Sequence, residues 1–193
     1  MATRDRMKAG LRVASIAFAL STCLLSAPAS AQSHYGIGHA ATPAQVAAWN
    51  LDVSPDGHNL PAGQGSVLRG REVFANQCAA CHGARGEGGS LGDKLAGGQG
   101  TLATPTPVRT VGSYWPYATT LFDYIRRAMP LTAPGSLTPD QTYAVTAFLL
   151  NREGLIPDGA VMNAKSLPAV QMPARSHFVS DDRRGSIGGS RVR

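Results

Sequence analysis

The pattern of apolar and polar positions divides this chain into helical stretches separated by segments without a period. From Ser66 onward Val67, Gly70, Val73, Phe74 and the pair Gln77-Cys78 recur at spacings of three and four, which predicts a helix with Ser66 as its cap. A second helix is predicted over 119–129, where Leu121, Phe122, Ile125 and Met129 lie on related faces. Met129-Pro130 ends it, because a residue before proline avoids helical angles. Thr138-Pro139-Asp140-Gln141 starts a third helix: Thr138 caps, Pro139 suits the first position, Asp140 favours the dipole and Gln141 closes a capping box. Tyr143, Ala144, Ala147, Phe148 and Leu150 form its buried face, and it is expected to end near Asn151.

Between these stretches the period is lost. Residues 83–107 are rich in glycine and form a long loop of the kind that is usually functional. Residues 32–65 contain one short helical segment, Pro43 to Trp49, and Trp49, Leu51, Val53 and Leu60 are expected to be buried. After Leu155-Ile156-Pro157 an irregular arm is predicted to about Phe178, followed by a polar, glycine-rich tail without order. There is no internal repeat.

The first residues have a different character. Arg4, Arg6, Lys8 and Arg12 form a basic leader, Val13 to Leu25 is apolar but too short to span a bilayer, and Ala29-Ser30-Ala31 is a small-x-small cleavage pattern. The expected organisation is a signal peptide over 1–31, an N-terminal extension over 32–64, a central domain over 65–155, a C-terminal arm over 156–178 and a tail over 179–193. Export to the periplasm is implied, and no membrane anchor is expected. Cleavage leaves 162 residues with 14 basic and 11 acidic side chains, a net charge of +3 rather than +6. Arg183, Arg184, Arg191 and Arg193 crowd the end of the tail, so the body is nearly neutral and nucleic acid is not an expected partner.

Cleavage also removes Cys23 and leaves Cys78 and Cys81, with His82 directly after them. Thiols three residues apart sit about one helical turn from each other, so each can add to one of the two vinyl groups of haem. His82 is then held under the iron as an axial ligand. A disulfide, half of a zinc site and a thioredoxin-like pair are the competing readings. Zinc would require two further ligands at suitable spacing, and none follows closely; a redox pair would sit at a helix start after a strand, a pattern that is missing here. One covalent haem c is the predicted cofactor.

The opposite axial position requires a second ligand, and a thioether favours ferrous iron and raises the reduction potential. Met129 stands where a loop enters between two helices. Met172 and Met162 are alternatives, as are His34, His39, His58 and His177.

From Ser66 to Asn151 the chain resembles class I c-type cytochromes. Gly70 and Phe74 look like that family's N-terminal helix pair, Tyr143 and Phe148 like their partners on the C-terminal helix, and Leu95 like the leucine that packs the proximal haem face. The resemblance implies an all-α fold around one haem, with arms from both ends wrapping it. Asp93 stands where the family commonly has proline, whose carbonyl binds the outer nitrogen of the axial histidine; the Asp93 carbonyl could do the same from a less stiff loop.

A narrower resemblance runs through Ala48-Trp49-Asn50-Leu51-Asp52-Val53-Ser54-Pro55-Asp56-Gly57 and Val111-Gly112-Ser113-Tyr114-Trp115-Pro116-Tyr117. It continues in Arg126-Arg127-Ala128-Met129-Pro130, Asp158-Gly159-Ala160-Val161-Met162-Asn163 and Leu167-Pro168-Ala169-Val170-Gln171-Met172-Pro173. These segments are similar to the cytochrome subunits of periplasmic sulfite and sulfur dehydrogenases of the Sox type. That resemblance implies a molybdenum-cofactor dehydrogenase subunit as electron donor, a downstream cytochrome c or oxidase as acceptor, and Met129 as the axial ligand.

Tyr114, Trp115 and Tyr117 form a dense aromatic cluster that either packs the core or offers a donor to a haem propionate. Arg109, Arg126 and Arg127 could neutralise propionates, although adjacent arginines on a helix face different ways. The expected role is electron transfer by a non-catalytic subunit. A free electron carrier, and catalysis at an open iron, are the competing functions.

Overall fold

The computed structural model describes residues 38–179; the predicted signal peptide, His34 and nearly all of the predicted tail lie outside them. The chain divides into two compact units, Met1–Pro43 and Ala44–Arg193, and the second carries every element treated below apart from the first residue of α1. Its elements in chain order are α1 (Pro43–Trp49), β1 (Gln64–Ser66), α2 (Val67–Gln77), α3 (Ala79–His82), α4 (Val111–Tyr114), α5 (Ala118–Ala128), α6 (Pro139–Arg152) and β2 (Val161–Asn163). Two short 3₁₀ turns, Leu167–Ala169 and Pro173–His177, follow β2. Among the described residues no helix is long and apolar enough to cross a membrane.

The three predicted helices are α2, α5 and α6, and their ends are set by the expected chemistry. Ser66 accepts the Arg69 N–H at 3.2 Å. Thr138 and Gln141 close a reciprocal capping box, worth on the order of 1 kcal/mol. At the end of α5, Met129 turns extended while its own N–H still donates to the Ile125 carbonyl at 3.0 Å.

The core lies between α2, α5 and α6. Phe74 on α2 meets Phe148 on α6 with ring centroids 5.0 Å apart, and Phe122 on α5 meets Tyr143 at 4.4 Å. Gly70 permits the α2–α6 approach: a Cβ there would lie 1.9 Å from the Ala144 carbonyl oxygen and 2.8 Å from the Phe148 Cβ. Gly65 is as constrained, with the Ala144 backbone nitrogen 2.1 Å from where its Cβ would stand.

The arms depart from the sequence expectation in two ways. They are not irregular throughout: β1 pairs antiparallel with β2, joining the extension to the C-terminal arm through Gly65 opposite Met162. Burial in the extension is also uneven. Val53 is buried and Leu60 partly so, but Leu51 is exposed and Trp49 is 88% exposed. The physical reason is that α1, seven residues long, contributes no side chain to the core, which is filled largely from α2, α5 and α6.

Candidate functional site

Helix α2 delivers the Cys78–His82 segment directly. Cys78 leaves helical geometry (φ −125°, ψ −35°), its N–H still donating to the Phe74 carbonyl at 2.9 Å, and α3 begins at the next residue. The amides of Cys81 and His82 both donate to the Cys78 carbonyl, at 3.2 and 3.1 Å. One tight turn therefore carries both thiols and the imidazole. Gly83 ends it at φ +80°, a conformation that glycine adopts without steric cost.

Both thiols are free and half-buried. Burial, and secondarily Cys81, push the Cys78 thiol up to about 11. A redox cysteine of the thioredoxin kind has the opposite shift, a stabilised thiolate. The zinc reading loses its ligands: among the described residues no group of three or more His, Cys, Asp or Glu converges.

His82 is oriented by the loop that follows. Its Nδ1–H donates to the Asp93 carbonyl across 2.9 Å. A carbonyl can only accept, so Nδ1 carries the proton, and the tautomer this selects has its lone pair on Nε2, the form that binds a metal. The departure from proline at position 93 thus leaves the hydrogen bond intact. Gly92 makes room for the ring, because a Cβ there would stand 2.9 Å from His82 Nδ1 and 2.9 Å from Cε1.

The loop is pinned at several points. Leu95 is partly buried against the core, its N–H bonded to the Gly86 carbonyl at 2.8 Å and its carbonyl accepting from Val111 at 3.1 Å. Glu153, at the end of α6, accepts the Gly97 N–H at 2.8 Å and the Gln99 side-chain amide at 2.9 Å. Thr110 caps α4 in a second capping box and also donates to the Gly97 carbonyl. Sequence reasoning missed Gly92 and Glu153; the glycine-rich composition of 83–107 was the available signal for the first, and nothing local pointed to the second.

The methionines separate by burial. Met162 and Met172 are 6% and 4% exposed and belong to the apolar core, whereas Met129 is only partly buried at its edge, where α5 gives way to an exposed loop over 131–136. His39, His58 and His177 are exposed.

The aromatic and cationic residues are largely committed to one another. Trp115 donates its Nε1–H to Thr120 Oγ1 at 3.0 Å and stacks obliquely on Tyr124, 5.5 Å between centroids. Tyr114 packs against Phe178 and carries the Arg109 guanidinium 5.7 Å above its ring. Arg175 lies 5.0 Å from the Tyr117 ring centre, which fastens the C-terminal arm. Arg127 is bound to Asp123 and Asp52, while half-buried Arg126 makes no ion pair among the described residues.

A thioether-forming pair of half-buried thiols, an imidazole of fixed tautomer and a thioether at the core edge fit a covalently attached haem. Comparison with known proteins agrees with that fit. The family model for cytochrome c matches residues 67–153. A solved structure, the sulfane dehydrogenase SoxCD from Paracoccus pantotrophus, contains a chain 44% identical to this one, with a TM-score of 0.73 over 77% of this chain and 73% of that one. No curated protein matches significantly. The chain belongs to the cytochrome c family, the all-α proteins that carry electrons on covalently bound haem c.

Proposed function

We propose that this protein is a periplasmic cytochrome with a single haem, and that it accepts electrons one at a time from a dehydrogenase subunit acting on sulfur compounds. Cys78 and Cys81 are the attachment points, and His82 and Met129 the axial ligands. The observation that carries the reading is the His82 Nδ1–H bond to the Asp93 carbonyl, 2.9 Å long, which leaves Nε2 available beside two free thiols. The single Cys-x-x-Cys-His segment in the sequence supports one haem, and the leader over 1–31 supports export.

Bound haem supplies a one-electron couple, and the protein tunes it through ligation, burial and charge. Met129 lies at the boundary between core and solvent, where its sulfur can leave the apolar interior without opening a cavity. Burial of Met162 and Met172 supports it over those two. Leu95, partly buried against the core, is assigned to the His82 side of the haem, as the resemblance to class I cytochromes implies. Of Arg109, Arg126 and Arg127, Arg126 has neither an ion pair nor a ring contact among the described residues, which supports it as the cation that neutralises a propionate, while the Trp115 indole N–H is taken by Thr120.

Similarity to a chain of SoxCD supports the dehydrogenase partner, a molybdenum-cofactor subunit, with a downstream cytochrome c or oxidase as acceptor. The test is reduction of the purified ferric holoprotein by sulfite, thiosulfate or a carrier-bound sulfane, with and without a molybdenum-cofactor sulfur dehydrogenase from the same source. Reduction that depends on that dehydrogenase, together with co-purification of the two, is expected. A monomer reduced equally well by unrelated donors would instead identify a free carrier.

A further inference from the structure

Helix α5 carries a column of polar residues that its role as a core helix does not explain. Thr119, Asp123 and Arg127 fall at spacings of four, so they share one face. Each holds the extension. The Thr119 hydroxyl donates to the Pro55 carbonyl at 3.0 Å. Asp123 Oδ1 accepts the N–H of buried Val53 at 3.0 Å. Arg127 Nη1 pairs with Asp52 at 3.2 Å, while its Nε bonds both Asp123 oxygens at 3.0 and 3.1 Å and its Nη2 pairs with Asp123 Oδ2. Asp123 itself is nearly buried, its side chain 10% exposed. Residues 52–55 are thus laced along α5 as far as its last turn.

That last turn presents Met129. Beyond it residues 131–136 are exposed, and their backbone bonds run from Ala133 to Pro130 and from Ser136 to Ala133, within the loop itself. Met129 packs at the edge of the core, and its backbone is tied to the helix by its N–H bond to the Ile125 carbonyl at 3.0 Å, with Arg127 two residues away. We propose that Asp123 and Arg127 are positioning residues that hold the end of α5 against the extension and so keep the Met129 sulfur available as a ligand. This inference rests on the assignment of Met129 made above.

The full-length ferric holoprotein, with its haem covalently attached, is titrated with imidazole, which competes for the sixth position. Removing the acceptor of a buried amide shifts a conformational equilibrium by a factor of roughly 5 to 150. Asp123→Ala is therefore expected to bind imidazole about tenfold more tightly than the parent, and Arg127→Gln, which loses a half-exposed ion pair, about twofold to fivefold more tightly, both with a lower reduction potential and unaltered covalent haem content. Arg127 is about half exposed, so its variant decides the matter where Asp123→Ala yields no holoprotein. Asp140→Ala frees the same extension from α6, by removing the acceptor of the Gln64 N–H at 2.8 Å, and should change imidazole affinity less than twofold. In a Met129→Ala background, which already binds imidazole tightly, Asp123→Ala should add nothing.

The proposal is overturned if Met129→Ala raises imidazole affinity and neither Asp123→Ala nor Arg127→Gln does, or if Asp140→Ala raises it equally. Where Met129→Ala itself leaves imidazole affinity unchanged, the ligand assignment fails and the proposal goes with it.

Discussion

The imidazole of His82 and the backbone carbonyl of Asp93 are joined by a 2.9 Å hydrogen bond, and the side chain of Asp93 plays no part in it. Because the acceptor is main chain, position 93 tolerates a residue other than proline. The constraint falls on position 92 instead. Gly92→Ala places a methyl group 2.9 Å from two ring atoms and 3.1 Å from the Cys81 carbonyl oxygen. Overpacking of this kind costs about 1–3 kcal/mol. The variant should melt earlier than the parent and show a shifted reduction potential; a parental potential would mean that the ring does not depend on this loop.

Gly70→Ala tests the helix crossing. The new methyl group would meet the Ala144 carbonyl, a backbone group inside α6 that cannot rotate away. A loss of roughly 3 kcal/mol or more is expected in denaturant unfolding, together with a poor yield of holoprotein. Leu68→Ala, on the exposed side of the same helix, should stay within about 0.5 kcal/mol of the parent.

Glu153 fastens the loop from a distance of more than fifty residues in sequence. Glu153→Ala removes the acceptor of the Gly97 amide and the carboxylate acceptor of the Gln99 side chain together, leaving Gln99 only the Glu153 backbone carbonyl at 3.3 Å. Hydrogen exchange at the Gly97 amide should accelerate by at least about tenfold, while amides in the middle of α6 keep their protection. Uniform acceleration across both would indicate global destabilisation rather than a released loop.

Tyr143 predicts an alkaline limit to stability. Its hydroxyl donates to the Pro61 carbonyl at 2.9 Å, and burial pushes its ionisation up to about 12, with Arg126 pulling weakly the other way. The folded value lies above the ordinary tyrosine value of about 10. The neutral form therefore contributes stability that is complete below about pH 10 and is lost as pH rises toward 12. Urea midpoints measured from pH 8 to 12 should fall in that window for the parent and fall less for Tyr143→Phe. Equal slopes for the two proteins would rule Tyr143 out as the cause.

Much of this was legible in the sequence because local chemistry and tertiary packing agree. Thr138 to Gln141 carry their capping box, Gly70 carries the close approach to Ala144 and Phe148, and Cys78 to His82 are held in one turn. What was missed depends on partners distant in sequence. β1 and β2 are three residues each, too short for an alternating pattern to register. Trp49 reads as a core residue from its side chain alone, yet it sits on a short helix that gives no side chain to the core. Asp123 looks like one more charge on a helix until Val53 and Arg127 are brought to it.

The most direct test of the account is the reduction potential and absorption spectrum of Met129→Ala against the parent. The parent should show the near-infrared charge-transfer band of methionine-bound ferric haem and should not bind carbon monoxide readily when reduced at neutral pH. The variant should keep its covalent haem, lose that band, bind carbon monoxide and have a potential lower by roughly 0.1 V or more. An unchanged spectrum and potential in Met129→Ala would contradict the account and transfer the sixth position to another residue.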